Sequence, residues 1–247
     1  IKRFNQGDLV KFIGNNLDTK NTVISVVSSL PEKKIRYQFE KHFSDIESSN
    51  SKTERKRFEG GQTAHKLNKR KLSQAYCILG KEAVSYNHED RLALFLLLNI
   101  LGGPALNSRL NLSLREKHGI VYNVDAQLNT FMDTGHFNIS FSTEKRNVER
   151  CKKYVFKELA KLRNTRLGVK QFQVAKDQFK GQIAIAEENN INFMLMMGRS
   201  LIDKGRIESL QEVFDAINII DSDKLLEMAN KYFAEDEFSS ITYLPEN

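Results

Sequence analysis

The stretch 97–143 reads LLNILGGPALNSRLNLSLREKHGIVYNVDAQLNTFMDTGHFNISFST, and it constrains the fold more than any other part of the chain. It begins inside a strongly apolar segment that His88-Glu89-Asp90 opens as a helix and Gly102-Gly103 ends. Asn107 or Ser108 can cap a second helix, which runs to about Lys117, and Gly119 fits just past its C-terminus. Two strands follow, at about 120–128 and 136–142, joined by a turn through Asp133-Thr134-Gly135. Helix stop, short helix and hairpin in unbroken succession mean that helices and strands share one core.

The flanks fill in the architecture. Leu9, Phe12 and Ile13 have helical spacing, and Thr22 to Val27 is a β-branched run that predicts a strand. Pro31 is placed to start a helix carrying Ile35, Phe39 and Phe43 on one stripe. From Glu47 to Gln62 the chain turns polar and ends in Gly60-Gly61, the composition of a linker. A strand is expected at about 73–79. After the hairpin come helices at about 148–162, 169–187, 192–203, 210–217 and 222–233, and a last strand at about 238–244. The predicted class is α+β: an antiparallel sheet with helices packed on it.

Composition excludes several classes. Apolar residues make up 40% and charged residues 28%, as in globular domains generally, and no apolar run approaches the ~20 residues of a membrane helix. Cys77 and Cys151 are too few for a disulfide framework and have no metal-ligand spacing, so both read as buried free thiols. A reducing, cytoplasmic setting is the default expectation, although the chain opens on Ile1 and shows no leader to read. The net charge of +7 is concentrated in Lys52–Arg57 and Lys66–Lys71, where no aromatic residues interleave for base stacking. A solvated linker and its flank explain this charge, and neither a nucleic-acid nor a membrane partner is expected.

The two ends of the chain echo each other. Asp8, Leu9, Phe12 and Leu17 lead into a strand ending near Leu30-Pro31; Asp223, Leu225, Met228 and Phe233 lead into one ending at Leu244-Pro245. The separation is that of one domain, which points to duplication. Residues 1–47 then read as the C-terminal remnant of a preceding homologous domain, 48–61 as a linker, and 62–247 as the complete sister domain.

The Gly-Gly stop, Ser108-Arg109-Leu110, Leu114-Arg115-Glu116-Lys117, Gly119, Tyr122 and Asp133-x-Gly135-x-Phe137 together resemble the second domain of each half in the insulinase and pitrilysin family of zinc metallopeptidases, to which mitochondrial processing peptidase also belongs. The resemblance continues through 148–162, Ala175-Lys176, Gly198-Arg199, Gly205-Arg206 and 229–233. Family enzymes hold zinc with an inverted His-x-x-Glu-His motif. None of His42, His65, His88, His118 and His136 begins or ends that pattern, so no metal residue is assigned and the five read as surface or structural histidines. The resemblance implies a processing-peptidase-like, non-zinc domain whose zinc lies in a missing or partner half.

It also implies site residues. In peptide-cleaving members an Arg and a Tyr seven residues apart reach across the chamber, and they match Arg115 and Tyr122 here. A helix end followed by one tight reversal can aim both at the same point, where Tyr122 would donate to an oxyanion and Arg115 would bind a substrate carbonyl. Gly102, Gly103 and Ser108 are implied as substrate-binding residues, Arg109 as structural, and Pro104 stiffens the loop where the family has a further glycine.

Three functions remain open at this point. The chain is the substrate-binding, metal-free part of a zinc metallopeptidase, partnered by a zinc-bearing half and acting on unfolded peptides, inactive on its own. Alternatively it is a scaffold or stabilising subunit of the same family, or a basic binding module. Self-association as a homodimer is a further expectation.

Overall fold

A computed structural model describes residues 3–52 and 56–246. Of the basic run Lys52–Arg57, Thr53 to Arg55 lie outside the described residues. The chain divides into two compact units. One takes in the described residues of Ile1–Arg57 with Ala184–Ser209; the other takes in Phe58–Ile183 and Leu210–Asn247.

The larger unit is built on a five-stranded sheet: β1 (His65–Arg70), β2 (Ala75–Ala83), β3 (Asn123–Thr130), β4 (Gly135–Thr143) and β5 (Ser239–Pro245). Their order across the sheet is β1-β5-β2-β4-β3. The β3–β4 hairpin pairs from Asn123↔Ser142 to Thr130↔Gly135, and β2 adds to β4 from Ala75↔Thr143 to Ala83↔Gly135. Both pairings are antiparallel, as is β2 with β5. The sheet is nonetheless mixed, because β1 joins β5 in parallel.

Period-two alternation decides which face is inside. Ala75, Cys77 and Leu79 of β2, Val124, Ala126 and Leu128 of β3, and Phe137, Ile139 and Phe141 of β4 are all buried. On the opposite face Tyr76, Ile78, Ile241 and Tyr243 stay exposed. The inner face is covered by α3 (Arg91–Gly102), α4 (Val148–Asn164) and α8 (Ser222–Tyr232), with α7 (Leu210–Ile219) against α3. α3 is apolar nearly all round and lies at the centre of the core. Phe137 meets Phe233 and Phe238 edge-on, with centroids 5.8 and 5.4 Å apart. Cys77 and Cys151 are buried free thiols in this core, and burial pushes both pKa values up.

The smaller unit contains α1 (Gln6–Asn16), α2 (Glu32–Phe43) and α6 (Asn190–Lys204), and α5 (Val169–Glu188) ends within it. Asn5 caps α1 reciprocally with Asp8, a capping box. α2 starts directly after Pro31, which is its N-cap rather than its first residue. Of the polar segment 48–61, Ser49 and Lys52 are tied back: Thr19 donates to Ser49 O at 3.1 Å and Lys52 donates to Asn15 O at 2.9 Å.

Two sequence expectations need correction. The β-branched run Thr22–Val27 is extended but forms no strand, because no described segment offers it a ladder; Ser25 Oγ instead donates to Met194 O at 2.7 Å. Conversely His65–Arg70 is a strand that its charges conceal. A basic sequence is compatible with β1 because it is an edge strand with mostly exposed side chains.

Candidate functional site

α3 ends where a glycine is sterically required rather than where a left-handed turn is. A Cβ on Gly102 would lie 2.9 Å from both the Cβ and the backbone N of Ala126, so the helix end is pressed onto β3. On Gly103 it would lie 2.6 Å from Asn99 O, and Gly103 has extended backbone at φ −65°. The glycines stop α3 as the sequence predicts, and they do so by close approach. Gly102 is buried; Gly103 and Pro104 line a groove of about 310 Å³ with Asn99, Ala126 and Leu128.

The second helix is shorter and wider than its sequence predicts. A single turn leads into a π-helix at Asn111–Lys117. Neither Asn107 nor Ser108 caps a backbone amide with its side chain: Asn107 donates to Gln178 Oε1 at 2.7 Å, and Ser108 Oγ accepts from Asn111 Nδ2 at 2.9 Å. Ser108 is 3% exposed and borders, with Asn107, Arg109 and Lys170, a groove of about 470 Å³ between the end of α3 and the start of α5. Arg109 is half-buried, and burial pushes its pKa down while Glu158 opposes this. It makes no ion pair among the described residues, and Glu158 acts on it only at a distance.

The π-helix closes on Gly119, whose φ of +59° only glycine adopts without strain. Gly119 donates to Arg115 O at 3.0 Å, and Ile120 donates to Leu114 O at 3.0 Å. Each spans one residue more than the usual paired helix-end bonds would, as the wider helix demands. Tyr122 then donates its N–H to Ser142 O at 3.0 Å, which fixes the start of β3. Thr143 Oγ1 donates to Ile120 O. The reversal between Arg115 and Tyr122 is therefore pinned at both ends.

Both side chains project from this reversal. Tyr122 is 62% exposed, and its hydroxyl bonds to no described residue. The Arg115 side chain is 49% exposed, and its one ion pair among the described residues is with Glu116, at 3.9 Å. Such an arrangement offers one hydroxyl donor and one cation to a chain lying across it. Among the described residues no three His, Cys, Asp or Glu side chains come together as metal ligands.

The match with known proteins decides the family. Residues 3–179 match the family described as the peptidase M16 inactive domain. The chain belongs to that family. It is 26% identical over 238 residues to the uncharacterized zinc protease YmxG of Bacillus subtilis, covering 96% of this chain and 57% of that protein. An uncharacterized zinc protease of Rickettsia bellii is 26% identical over 244 residues, covering 98% and 58%. The chain thus spans less than three fifths of the length of these relatives. Among solved structures, a peptidase M16 inactive domain from Pseudomonas fluorescens superposes with a TM-score of 0.81 at 16% identity, covering 100% of this chain and 59% of that one. A protease from Helicobacter pylori gives 0.84 at 18%, covering 99% and 60%. These likenesses establish the α+β fold. No helix among the described residues is long and apolar enough to cross a membrane.

What sequence reasoning overlooked is a basic cluster behind the π-helix, formed with α4. Its signal was present as Arg150, Tyr154, Lys157 and Lys161, spaced to share one helix face.

Proposed function

We propose that this chain is the substrate-binding, metal-free part of a zinc peptidase, completing a peptide-cleaving chamber with a zinc-bearing part. The observation that supports it is the pinned reversal at Gly119, which presents both side chains to solvent: the Tyr122 hydroxyl has no partner among the described residues, and Arg115 has a 3.9 Å contact with its neighbour Glu116. In this reading the Tyr122 hydroxyl donates a hydrogen bond to the oxyanion of the tetrahedral intermediate. Arg115 binds a substrate backbone carbonyl and adds positive potential beside it. The zinc-bearing part supplies the metal and the nucleophilic water; this chain orients the peptide. Gly103 and Ser108 each border a groove open to a peptide, and Gly102 sets how closely their loop lies to β3.

The test is cleavage of an unfolded peptide with the zinc-bearing part supplied, comparing wild type with Arg115→Ala and Tyr122→Phe. Each substitution should lower kcat/KM about 10²- to 10³-fold, the usual effect of removing one preorganised donor. Unchanged rates in both would remove the assigned role. The chain alone should cleave nothing with zinc added.

In the same reading residues 1–47 are the end of a preceding, homologous domain and 48–61 a linker. Support comes from α1 and α2, in which no residue is buried although Leu9, Phe12, Ile13, Phe39 and Phe43 are apolar.

A further inference from the structure

The π-helix has a second working face. Its residues Ser113 and Lys117, with His118 just after it, line with Arg109, Tyr154, Lys157 and Lys161 a pocket of about 260 Å³ that Arg115 does not line. The charge there is one-sided. The single carboxylate in the lining, Glu158, is buried and occupied by Lys161 Nζ at 2.6 Å. Among the described residues Arg109, Lys117 and Lys157 have neither a hydrogen bond nor an ion pair. Arg150 lies over the Tyr154 ring, 5.7 Å from its centroid, on the same stripe of α4. The nearest acidic neighbours along the two helices are engaged elsewhere: Glu149 with Lys152 at 2.9 Å, and Glu116 beside Arg115.

His118 registers this field. Its ring stacks on Tyr154 with centroids 4.0 Å apart. Partial burial, then Arg150, Lys117 and Lys157, hold its pKa below the usual imidazole value. Cations gathered on one concavity without matching carboxylates create a local positive potential that a bound anion would neutralise.

We propose that the pocket between the π-helix and α4 binds a phosphate group, free or as the terminal phosphomonoester of a small molecule. Phosphate fits better than a single carboxylate because the donors are several separate point charges approaching from different elements. A doubly charged tetrahedral oxyanion can accept from all of them at once. A nucleic acid strand fits less well, because His118 and Tyr154 use their facing surfaces on each other instead of on bases.

The experiment follows the His118 imidazole of the 247-residue chain by NMR during titration with inorganic phosphate or phenyl phosphate at constant ionic strength. Binding should raise the His118 pKa by about one unit, because the anion offsets the surrounding cations. A Lys117→Gln/Lys157→Gln double variant should weaken binding about tenfold or more, with its melting temperature unchanged because both side chains are exposed. Response to inorganic phosphate alone identifies the free ion as the ligand; response to both probes identifies the phosphomonoester group. No movement of His118, the same movement in matched chloride, or undiminished binding by the double variant overturns the proposal. So does stronger displacement by a glutamate-rich peptide or by an RNA oligomer, which would assign the pocket to carboxylates or to nucleic acid.

Discussion

Asp90 stands immediately before α3 with its side chain 5% exposed, bridged by Lys224 Nζ at 2.7 Å and Lys231 Nζ at 3.2 Å from α8. Burial pushes its pKa up, but the hydrogen bonds from the two lysines outweigh that and hold it below the ordinary 3.8. A folded-state pKa below the unfolded one stabilises the protein above the unfolded pKa, and the gain is lost as pH falls through the folded value. Asp90→Asn should therefore cost about 2 kcal/mol near neutral pH, less than a fully buried pair because both lysines keep contact with solvent. Urea unfolding at several pH values should show the difference from wild type constant above pH ~5 and shrinking below the ordinary carboxylate range. At this scale the sequence exposed Arg115, Tyr122, Gly102, Gly103 and Ser108 as candidates through their motif. It could not show that Ser108 Oγ is occupied by Asn111, or that Lys176 is buried and donates to Asn218 O and Ile220 O at 3.0 and 3.1 Å. The Lys176 pairings join residues 42 and 44 positions apart, and that of Ser108 with Asn111, though local, depends on how the helix starts.

Among the elements, the π-helix matters most. Helical periodicity was legible in Leu110 to Lys117, but one extra residue per turn leaves no clear mark in so short a segment. Its consequence is angular. Arg115 faces away from the basic pocket while Ser113, Lys117 and His118 line it. Deleting Ser113 should return the segment toward α-helical register and re-aim Arg115 relative to Tyr122. If the proposed role holds, peptide cleavage in the presence of the zinc-bearing part should then fall about as far as in Arg115→Ala, with the far-ultraviolet circular dichroism preserved. Full activity in the deletion would separate Arg115 from the reaction. β1 shows the opposite failure: Lys66, Lys69 and Arg70 read as a solvated flank, because an edge strand needs only backbone pairing with β5 and no apolar face.

On the scale of the whole molecule, the larger unit has a full core and the smaller one does not. α1 and α2 carry an apolar stripe with no buried residue, and the run 22–27 lacks a ladder. If they belong to a preceding domain, their amides should exchange within minutes in this chain and become protected when the upstream domain is supplied, while α3 and β4 remain protected throughout. Equal protection of α1 and α2 in both samples would contradict that assignment. By itself the sequence determined the helices, the β3–β4 hairpin and the motif residues, because periodicity, turn chemistry and glycine placement act over a few neighbours. Only the tertiary structure decided that Thr22–Val27 has no partner strand, that β1 joins β5 in parallel, and that Arg109 and Lys117 share a pocket with Lys157. Each of these depends on which distant segments share a ladder or a cavity, and local spacing carries no record of that.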